Sequence, residues 1–237
     1  MRPLGLVLRS MGMQISGSDM NASVSTDELM AKGIAVSIGH RAENIEGADC
    51  VIRTAAANND NPEIAAARAA GIPIFERAQA WGYIMKAYRH AICVSGTHGK
   101  TTTTSMLTQI FMEAGKDPTV MIGGSLPLLG AGHRVGQGDT IILESCEYCN
   151  SFLNFFPTTA VVLDIDADHL DFFKDLEDVK HSFRRFAELV PADGLIVANG
   201  DDKNTLDALD GLSLVRFGMA ETNDVYGTNF SEDYRCF

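Results

Sequence analysis

Apolar and polar positions alternate along the first 88 residues as they do in strands separated by short helices. The pattern predicts helices over 2–11, 26–32 and 63–70, and strands over 14–16, 34–38 and 50–52. Strand, helix and strand repeated in this order imply a parallel, Rossmann-like sheet. Such a domain begins with a strand and a glycine-rich turn, whereas this sequence opens inside the helix that would follow that turn. We therefore expect an incomplete first domain.

The second half of the chain has the same kind of pattern with longer strands. A connecting helix is predicted over 78–88, and a new α/β unit begins at Ala91. Its helices are predicted over 101–114 and 176–189, and its strands over 91–95, 119–122, 140–143, 160–163, 195–198 and 214–217. The sequence thus predicts two domains, residues 1–88 and 89–237, the second with a mostly parallel sheet.

Composition excludes several classes of function. The 237 residues are 46% hydrophobic, which is ordinary for a globular core, and the formal net charge of -12 with no Lys/Arg cluster disfavours a nucleic-acid-binding protein. No apolar run is long enough to span a membrane, and the N-terminus lacks the pattern of a signal peptide. We expect a cytoplasmic protein with reduced cysteines, in which the pair Cys146 and Cys149 is a pair of small packing residues.

A glycine-rich turn gives the first indication of chemistry. Residues Gly96 to Thr104 read G-T-H-G-K-T-T-T-T between a predicted strand and a predicted helix. In this arrangement backbone N–H groups face a polyphosphate while the lysine, here Lys100, reaches its terminal oxygens. The spacing is shorter than G-x-x-x-x-G-K-[ST], because Val94 stands where the first glycine would be. The turn predicts a nucleoside triphosphate site, although a histidine such as His98 in a turn is usually no catalyst.

Acidic residues follow two of the predicted strands. Glu144 comes directly after the strand 140–143, and Asp164 opens the acidic run 164–171 after the strand 160–163. Since ligands gather beyond the carboxyl ends of parallel strands, both should face the glycine turn. Mg²⁺ prefers oxygen ligands with one or two protein carboxylates, so Glu144 is the best candidate. His169 lies within the acidic run, where it either binds a second cation or pairs with a neighbouring carboxylate.

These strings resemble the Mur ligases, ATP-dependent enzymes that form amide bonds in peptidoglycan synthesis. The combination of G-T-H-G-K-T-T-T-T with D-A-D-H-L-D is highly specific for the family, and S-G-S-D with I-G-H is typical of its alanine-adding branch and that branch's close relatives. Matching stretches are 16–19, 38–40, 60–63, 71–73, 96–104, 117–120, 122–124, 151–153, 165–171 and 198–202. They cover the chain nearly end to end.

The resemblance implies a fold and a set of site residues. The fold would be an incomplete Rossmann-like domain followed by an incomplete P-loop-containing central ATPase domain. The cofactors would be ATP and Mg²⁺, and the substrates UDP-N-acetylmuramate and L-alanine. The resemblance assigns ATP binding to Gly96, Thr97, His98, Gly99, Lys100, Thr101 and Thr102, metal binding to Thr101, Glu144 and His169, catalysis to Lys100, Glu144 and His169, and the UDP part of the substrate to Asp19, His40 and Thr54.

The chain also departs from the family pattern. Cys146 and Cys149 stand where many relatives have aspartates, and Asp164 stands where an asparagine is common, whereas Glu144 and Glu147 are retained. The family continues beyond this sequence with the rest of the central domain and a C-terminal domain that closes over ATP and the amino acid. We therefore expect a fragment with weak nucleotide affinity and no measurable amide formation.

Three other functions fit part of the pattern. A peptide-recycling ligase of the same family, which adds a whole peptide to the same sugar, would share these motifs. A simple P-loop NTPase or kinase would need no sugar-binding domain, so residues 1–88 distinguish it. A non-catalytic nucleotide-binding module is distinguished by the effect of Lys100→Ala on activity. The oligomeric state has no signature in the sequence.

Overall fold

The computed structural model describes residues 1–228, so the last nine residues of the second predicted domain, 229–237, lie outside it. The first part of the chain alternates short helices and short strands, as predicted. The elements are α1 (Arg2–Ser10), β1 (Ser16–Asp19), α2 (Val24–Ala31), β2 (Ala35–Ile38), β3 (Val51–Arg53), α3 (Pro62–Ala69), β4 (Ile74–Glu76) and α4 (Arg77–Met85). All the predicted elements of this part are present, shifted by one to three residues, and β4 was not predicted.

The strands of the first part form two parallel pairs, β1 with β2 and β3 with β4, rather than one continuous sheet. In a doubly wound sheet, a further strand lies between the strands that correspond to β1 and β3. No strand between them is present within residues 1–228. The helices begin where the sequence offers caps: Ser23 accepts from the Thr26 amide at α2, and Asn61 accepts from the Glu63 amide ahead of α3.

The second part of the chain contains a larger sheet. Its elements are β5 (His90–Ser95), α5 (Lys100–Glu113), β6 (Thr119–Leu126), β7 (Ala131–Arg134), β8 (Thr140–Glu144), β9 (Thr159–Val162), α6 (Leu176–Ala187), β10 (Leu195–Asn199), α7 (Lys203–Ala208), β11 (Val215–Gly218) and β12 (Val225–Tyr226). Eight strands pair in the order β12-β11-β10-β9-β5-β8-β6-β7, and every neighbouring pair is parallel except β6 with β7. The mostly parallel sheet is as predicted.

Three elements of the second part were not predicted. Strand β7 is a short polar edge strand with the sequence Ala-Gly-His-Arg, which has no apolar run to signal it. Helix α7 and strand β12 are only six and two residues long. Short elements of this kind depend on their neighbours in the fold more than on their own pattern.

The core is built on the central strands β5, β8 and β9, whose apolar side chains are almost wholly buried. Phe152 stacks on Phe186 of α6 with ring centroids 4.5 Å apart, and Phe183 packs edge-on against Phe152. Trp81 of α4 and Leu4 of α1 belong to the same buried cluster. The ends of these central strands are therefore held in place by a close-packed hydrophobic core. No helix within residues 1–228 is both long and apolar enough to cross a membrane.

Candidate functional site

The strand order fixes the position of the site. β5 lies between β8 and β9, so the carboxyl ends of these three strands meet at one edge of the sheet. After β5 the chain continues through α5 to β6, which lies on the β8 side of β5. It later returns to β9, which lies on the other side of β5. An edge where the strand order reverses in this way is the usual ligand-binding position of an open α/β sheet. Glu144, Asp164 and the loop after Ser95 all lie at this edge.

Two glycines shape the loop between β5 and α5. Gly96 has φ +143°, and Gly99 has φ +78° as the N-terminal cap of α5. A Cβ at Gly96 would lie 2.9 Å from both Asp164 Oδ1 and the Leu163 side chain, so the backbone approaches β9 more closely than another residue permits. Thr97 adds a second contact between the loop and the segment after β9, because its hydroxyl accepts from the Asp166 amide at 2.9 Å. The loop is therefore held in place from the β9 side.

His98 is engaged by a single carboxylate. Its backbone N–H donates to Asp164 Oδ1 at 2.8 Å, and its ring Nδ1 lies 2.8 Å from Asp164 Oδ2. This hydrogen bond and the charge of Asp164 raise the pKa of His98 above its ordinary value. The backbone N–H and the ring Nδ1 of His98 thus both connect the loop to Asp164. The rest of the side chain faces solvent, since 68% of it is exposed.

Lys100, the first residue of α5, folds back over the loop. Its Nζ donates to the carbonyl oxygens of Gly96 and Thr97 and lies 3.1 and 3.3 Å from the two carboxylate oxygens of Glu147. The lysine side chain is only 14% exposed, and that of Glu147 is 2% exposed. Glu147 was not among the predicted site residues.

Thr101 and Glu144 meet at the start of α5. The Thr101 hydroxyl donates to Glu144 Oε1 at 3.0 Å, and Glu144 Oε2 accepts from the Gly123 amide at 2.7 Å. A Cβ at Gly123 would lie 2.4 Å from Glu144 Oε1, so this glycine makes room for the carboxylate. The predicted neighbours Thr101 and Glu144 are therefore in direct contact. Thr102, also assigned to the nucleotide, lies in the first turn of α5.

His169 also lies near the Glu147 carboxylate. Its Nε2 is 3.8 Å from Glu147 Oε1 and 3.9 Å from Asp168 Oδ2. Its backbone has φ +53°, which is unusual for a residue other than glycine. The ring packs on Tyr148 with centroids 4.7 Å apart, and the Tyr148 hydroxyl donates to Asp171 Oδ2 at 2.8 Å.

The three residues predicted to bind the UDP part of a substrate lie near the carboxyl ends of the short strands. His40 is part of a polar cluster: Ser18 lies 3.0 Å from its Nδ1, and Glu63 lies 3.4 Å from the same atom. Asp19 and Thr54 are exposed, and each accepts from a nearby backbone amide in a turn. The structure thus joins His40 to Ser18 and Glu63 and leaves the other two open to solvent.

Glu63 is the centre of that cluster. It accepts from the Ser18 hydroxyl at 2.7 Å and from Asn44 Nδ2 at 2.6 Å. Burial alone would raise the pKa of Glu63, but these hydrogen bonds and the nearby His40 together lower it. Glu63 belongs to the matched string 60–63, yet its position at the start of α3 is also that of an ordinary helix-start acid, so the sequence assigned it no role.

Comparison with known proteins decides the family. Residues 1–89 match the Mur ligase family catalytic domain, and residues 94–236 match the Mur ligase middle domain. The chain belongs to the Mur ligase family. It is 45% identical over its whole length to a UDP-N-acetylmuramate--L-alanine ligase of Clostridium botulinum, of which it covers 52%. The chain thus spans about half the length of the curated relatives it matches.

Solved structures of Mur ligases have the same fold. UDP-N-acetylmuramate-alanine ligase from Thermotoga maritima matches with a TM-score of 0.75 and 30% identity, covering 90% of this chain and 49% of that one. A UDP-N-acetylmuramate:L-alanyl-gamma-D-glutamyl-meso-diaminopimelate ligase from Neisseria meningitides matches with a TM-score of 0.80 and 26% identity, covering 94% of this chain and 75% of that one. The α/β fold class predicted from the sequence is confirmed, as is the assignment to an ATP-dependent ligase family.

The Mur ligase site contains oxygen groups that fit a magnesium ion. Within residues 1–228 no three His, Cys, Asp or Glu side chains form a metal-binding group. Mg²⁺ bound with a nucleotide does not need one, because it takes one or two protein oxygens and completes its shell with phosphate and water. The contact of the Thr101 hydroxyl with the Glu144 carboxylate provides those two oxygens.

Sequence reasoning missed several residues of the Mur ligase site or misread them. Glu147 was noted in the sequence but given no contact with the loop, because spacing alone does not show which way a loop residue turns. Asp164 was expected to face the loop, but its partner His98 was not predicted. The thiols of Cys146 and Cys149 were expected to be packed, whereas both residues are exposed. Tyr148 had no signal at all, since its packing partner His169 lies 21 positions away.

Proposed function

We propose that this chain supplies the nucleotide-binding and sugar-binding parts of a ligase that joins L-alanine to the carboxylate of UDP-N-acetylmuramate with ATP. The contact of Thr101 with Glu144 beside the loop Gly96 to Lys100 carries this proposal, because it combines a phosphate cradle with oxygen ligands for a metal. The relative from Clostridium botulinum supports the choice of substrates. We also propose a domain boundary at residues 88 and 89, between α4 and β5, supported by the two family matches.

ATP would lie over the loop and the N-terminus of α5. Gly96, Thr97, Gly99, Thr101 and Thr102 would provide backbone and hydroxyl contacts to its phosphates. Lys100 would turn from the carbonyl oxygens of the loop toward the terminal phosphates. His98 would hold the loop through Asp164 rather than contact ATP with its ring, since its amide and ring are already engaged.

Mg²⁺ would be held by Thr101 and Glu144, and His169 would face a second ion. Bound there, the metal would neutralise charge on the transferring phosphoryl group. Lys100 would stabilise the same charge from the loop side, and the buried surroundings of β5, β8 and β9 would keep water from weakening that interaction.

The chemistry follows from the weakness of a carboxylate as an acyl donor. A carboxylate oxygen of the sugar would attack the γ-phosphorus of ATP, forming an acyl phosphate and releasing ADP. The amine of L-alanine would then attack the acyl carbon, forming the amide and releasing inorganic phosphate and a proton. Both steps place negative charge beside Lys100.

The UDP part of the substrate would bind at the carboxyl ends of β1, β2 and β3. Asp19, His40 and Thr54 are proposed to contact it, with Ser18 and Glu63 fixing the His40 ring. ATP and nucleotide sugars are cytoplasmic metabolites, so the same proposal places the protein in the cytoplasm.

Calorimetric titration of this chain with UDP-N-acetylmuramate and, separately, with AMP-PNP and Mg²⁺ tests the proposal. Both ligands should bind, His40→Ala should weaken only the sugar nucleotide, and Lys100→Met only AMP-PNP. Binding of AMP-PNP without any binding of UDP-N-acetylmuramate would instead favour a simple NTPase. Because the relatives are about twice as long, we expect no L-alanine-dependent phosphate release from this chain alone.

A second acceptor is supported by the similarity to the Neisseria structure, whose name includes a tripeptide. Ligand-detected NMR in the presence of AMP-PNP and UDP-N-acetylmuramate compares L-alanine with that peptide. If the peptide binds preferentially, it becomes the proposed acceptor in place of L-alanine, and the rest of the proposal is unchanged.

A further inference from the structure

One buried carboxylate has no part in the chemistry proposed above. Glu147 follows Glu144 by three residues, and its side chain is 2% exposed. Both of its carboxylate oxygens lie within 3.3 Å of Lys100 Nζ, and Oε1 also lies 3.8 Å from His169 Nε2. The same carboxylate therefore faces the lysine proposed for the terminal phosphates and the histidine proposed for a metal.

The loop that carries Glu147 is fixed from both sides. The Glu147 carbonyl accepts from the Asn150 amide at 2.9 Å, and Cys149 and Asn150 both have φ near +54°. Two consecutive left-handed residues other than glycine persist only where the surroundings hold them in place. The Asn150 side chain accepts a hydrogen bond from Ser182 of α6, which anchors the turn to the core. Glu147 is thus presented by a rigid turn.

A carboxylate buried to this degree requires charged or hydrogen-bonding partners. Its closest cation is Lys100, whose side chain is itself 14% exposed and whose other contacts are two backbone carbonyls. Glu144 is occupied with Thr101 and Gly123 and has no contact with Lys100 among the described residues. Glu147 is therefore the only carboxylate in hydrogen-bonding contact with this lysine in residues 1–228.

We propose that Glu147 is a positioning residue for both Lys100 and His169, so that these two side chains point to one place above the loop. The inference rests on the proposed function, because it assigns Lys100 to the terminal phosphate of ATP. It predicts that loss of the Glu147 charge weakens binding of the γ-phosphate specifically, since Lys100 then turns wholly to the loop carbonyls.

The test compares the affinities of this chain for AMP-PNP and for ADP, each with Mg²⁺, by calorimetry. In Glu147→Gln the affinity for AMP-PNP divided by the affinity for ADP should be about tenfold lower than in the unchanged chain. This is the size expected for one charge-assisted contact. A general loss of structure would weaken both nucleotides alike and would also weaken UDP-N-acetylmuramate. In a Lys100→Met background, Glu147→Gln should have no further effect on the ratio.

Asp202→Asn is the matched control. Asp202 is also a partly buried carboxylate near the acidic run, but it accepts from Thr205 and the Ile165 amide and caps α7. Its substitution should lower thermal stability without changing the ratio. If Glu147→Gln does not fold, Glu147→Asp keeps the charge on a shorter side chain, and the ratio should still fall about threefold.

The outcomes separate the two proposals. If the unchanged chain binds neither nucleotide, the proposed function fails and this inference fails with it. If the chain binds both nucleotides and the ratio in Glu147→Gln, or in Glu147→Asp where only that variant folds, stays within twofold of the unchanged chain, the positioning role is overturned and the proposed function stands.

Discussion

Asp164 holds both the backbone and the ring of His98, with Oδ1 accepting from the amide at 2.8 Å and Oδ2 lying 2.8 Å from Nδ1. An asparagine at this position could accept from the amide but would bring no charge to the imidazole. In this chain the loop between β5 and α5 therefore carries an ion pair whose strength depends on pH.

We predict that Asp164→Asn lowers the pKa of His98 toward the ordinary value of 6.5, because it removes the charged partner responsible for the two largest causes of the upward shift, while the smaller effects of Asp166 and Asp168 remain. A histidine whose folded pKa is raised adds stability that is fully present below pH 6.5 and is lost as the pH rises through the folded pKa. NMR titration of the His98 ring in the two proteins measures the shift. An identical midpoint in both would contradict the ion pair.

Gly123 should be required at the edge of the sheet where we propose that Mg²⁺ binds. In Gly123→Ala the new Cβ would lie 2.4 Å from Glu144 Oε1, so the carboxylate must leave Thr101 and lose the Gly123 amide. We expect the affinity for Mg²⁺ with AMP-PNP to fall by about tenfold or more, as for loss of one or two charge-assisted hydrogen bonds.

Gly5→Ala is the control for this substitution. A Cβ at Gly5 would make only ordinary contacts, the nearest at 3.7 Å, and the position lies inside α1. Alanine is favoured over glycine in a helix by about 1 kcal/mol, so this variant should be as stable as the unchanged chain or more so. Unchanged metal binding in Gly123→Ala, measured by calorimetry, would contradict the predicted displacement of Glu144.

The cluster around Glu63 should make the first domain sensitive to acid. The folded pKa of Glu63 is lowered, so its contribution to stability is present above pH 4.5 and is lost as the pH falls through the folded value. In Glu63→Gln we expect a cost of about 1.5 kcal/mol at pH 7, the lower end of the range for a hydrogen bond to a charged group.

Thermal unfolding between pH 3 and pH 7 checks this prediction. The difference between the unchanged chain and Glu63→Gln should shrink as the pH falls, because protonation removes the charge that the substitution also removes. A difference that stays constant over that range would mean that the Glu63 charge does not stabilise the fold.

The sequence predicted those parts of the fold that have a long local pattern. The buried runs of β5, β8 and β9 and the periodic helices α5 and α6 were all predicted to within two residues of their observed bounds. Strand β7 could not be predicted, because its polar residues form a strand only through their pairing with β6.

The residues of the candidate site also fall into those that the sequence identified and those that it did not. The glycine loop, Lys100, Thr101 and Glu144 were identifiable because strand ends and a helix start place them by topology alone. Glu147 and Tyr148 were not, because their direction depends on the left-handed turn at Cys149 and Asn150. Asn150 is a residue type that tolerates a left-handed backbone, but Cys149 is not and the turn contains no glycine, so the sequence signals only half of it.

Tyr148 should hold His169 through its ring rather than through its hydroxyl. The two rings pack with centroids 4.7 Å apart, and Phe172 packs edge-on against the other part of Tyr148. Tyr148→Phe keeps this ring contact and loses only the hydrogen bond to Asp171, whereas Tyr148→Ser removes the ring contact. We expect the serine variant to be less stable by about 1 kcal/mol, as for other aromatic pairs, and the phenylalanine variant to change less.

The chemical shift of the His169 ring protons distinguishes the variants, because the Tyr148 ring current acts on them. The shift should be displaced upfield in the unchanged chain and in Tyr148→Phe, and it should return to the value of an isolated histidine in Tyr148→Ser. An upfield shift that persists in Tyr148→Ser would show that another ring positions His169. In that case, the other ring and the left-handed backbone of His169, whose carbonyl accepts from the Phe172 and Phe173 amides, would orient the imidazole without Tyr148.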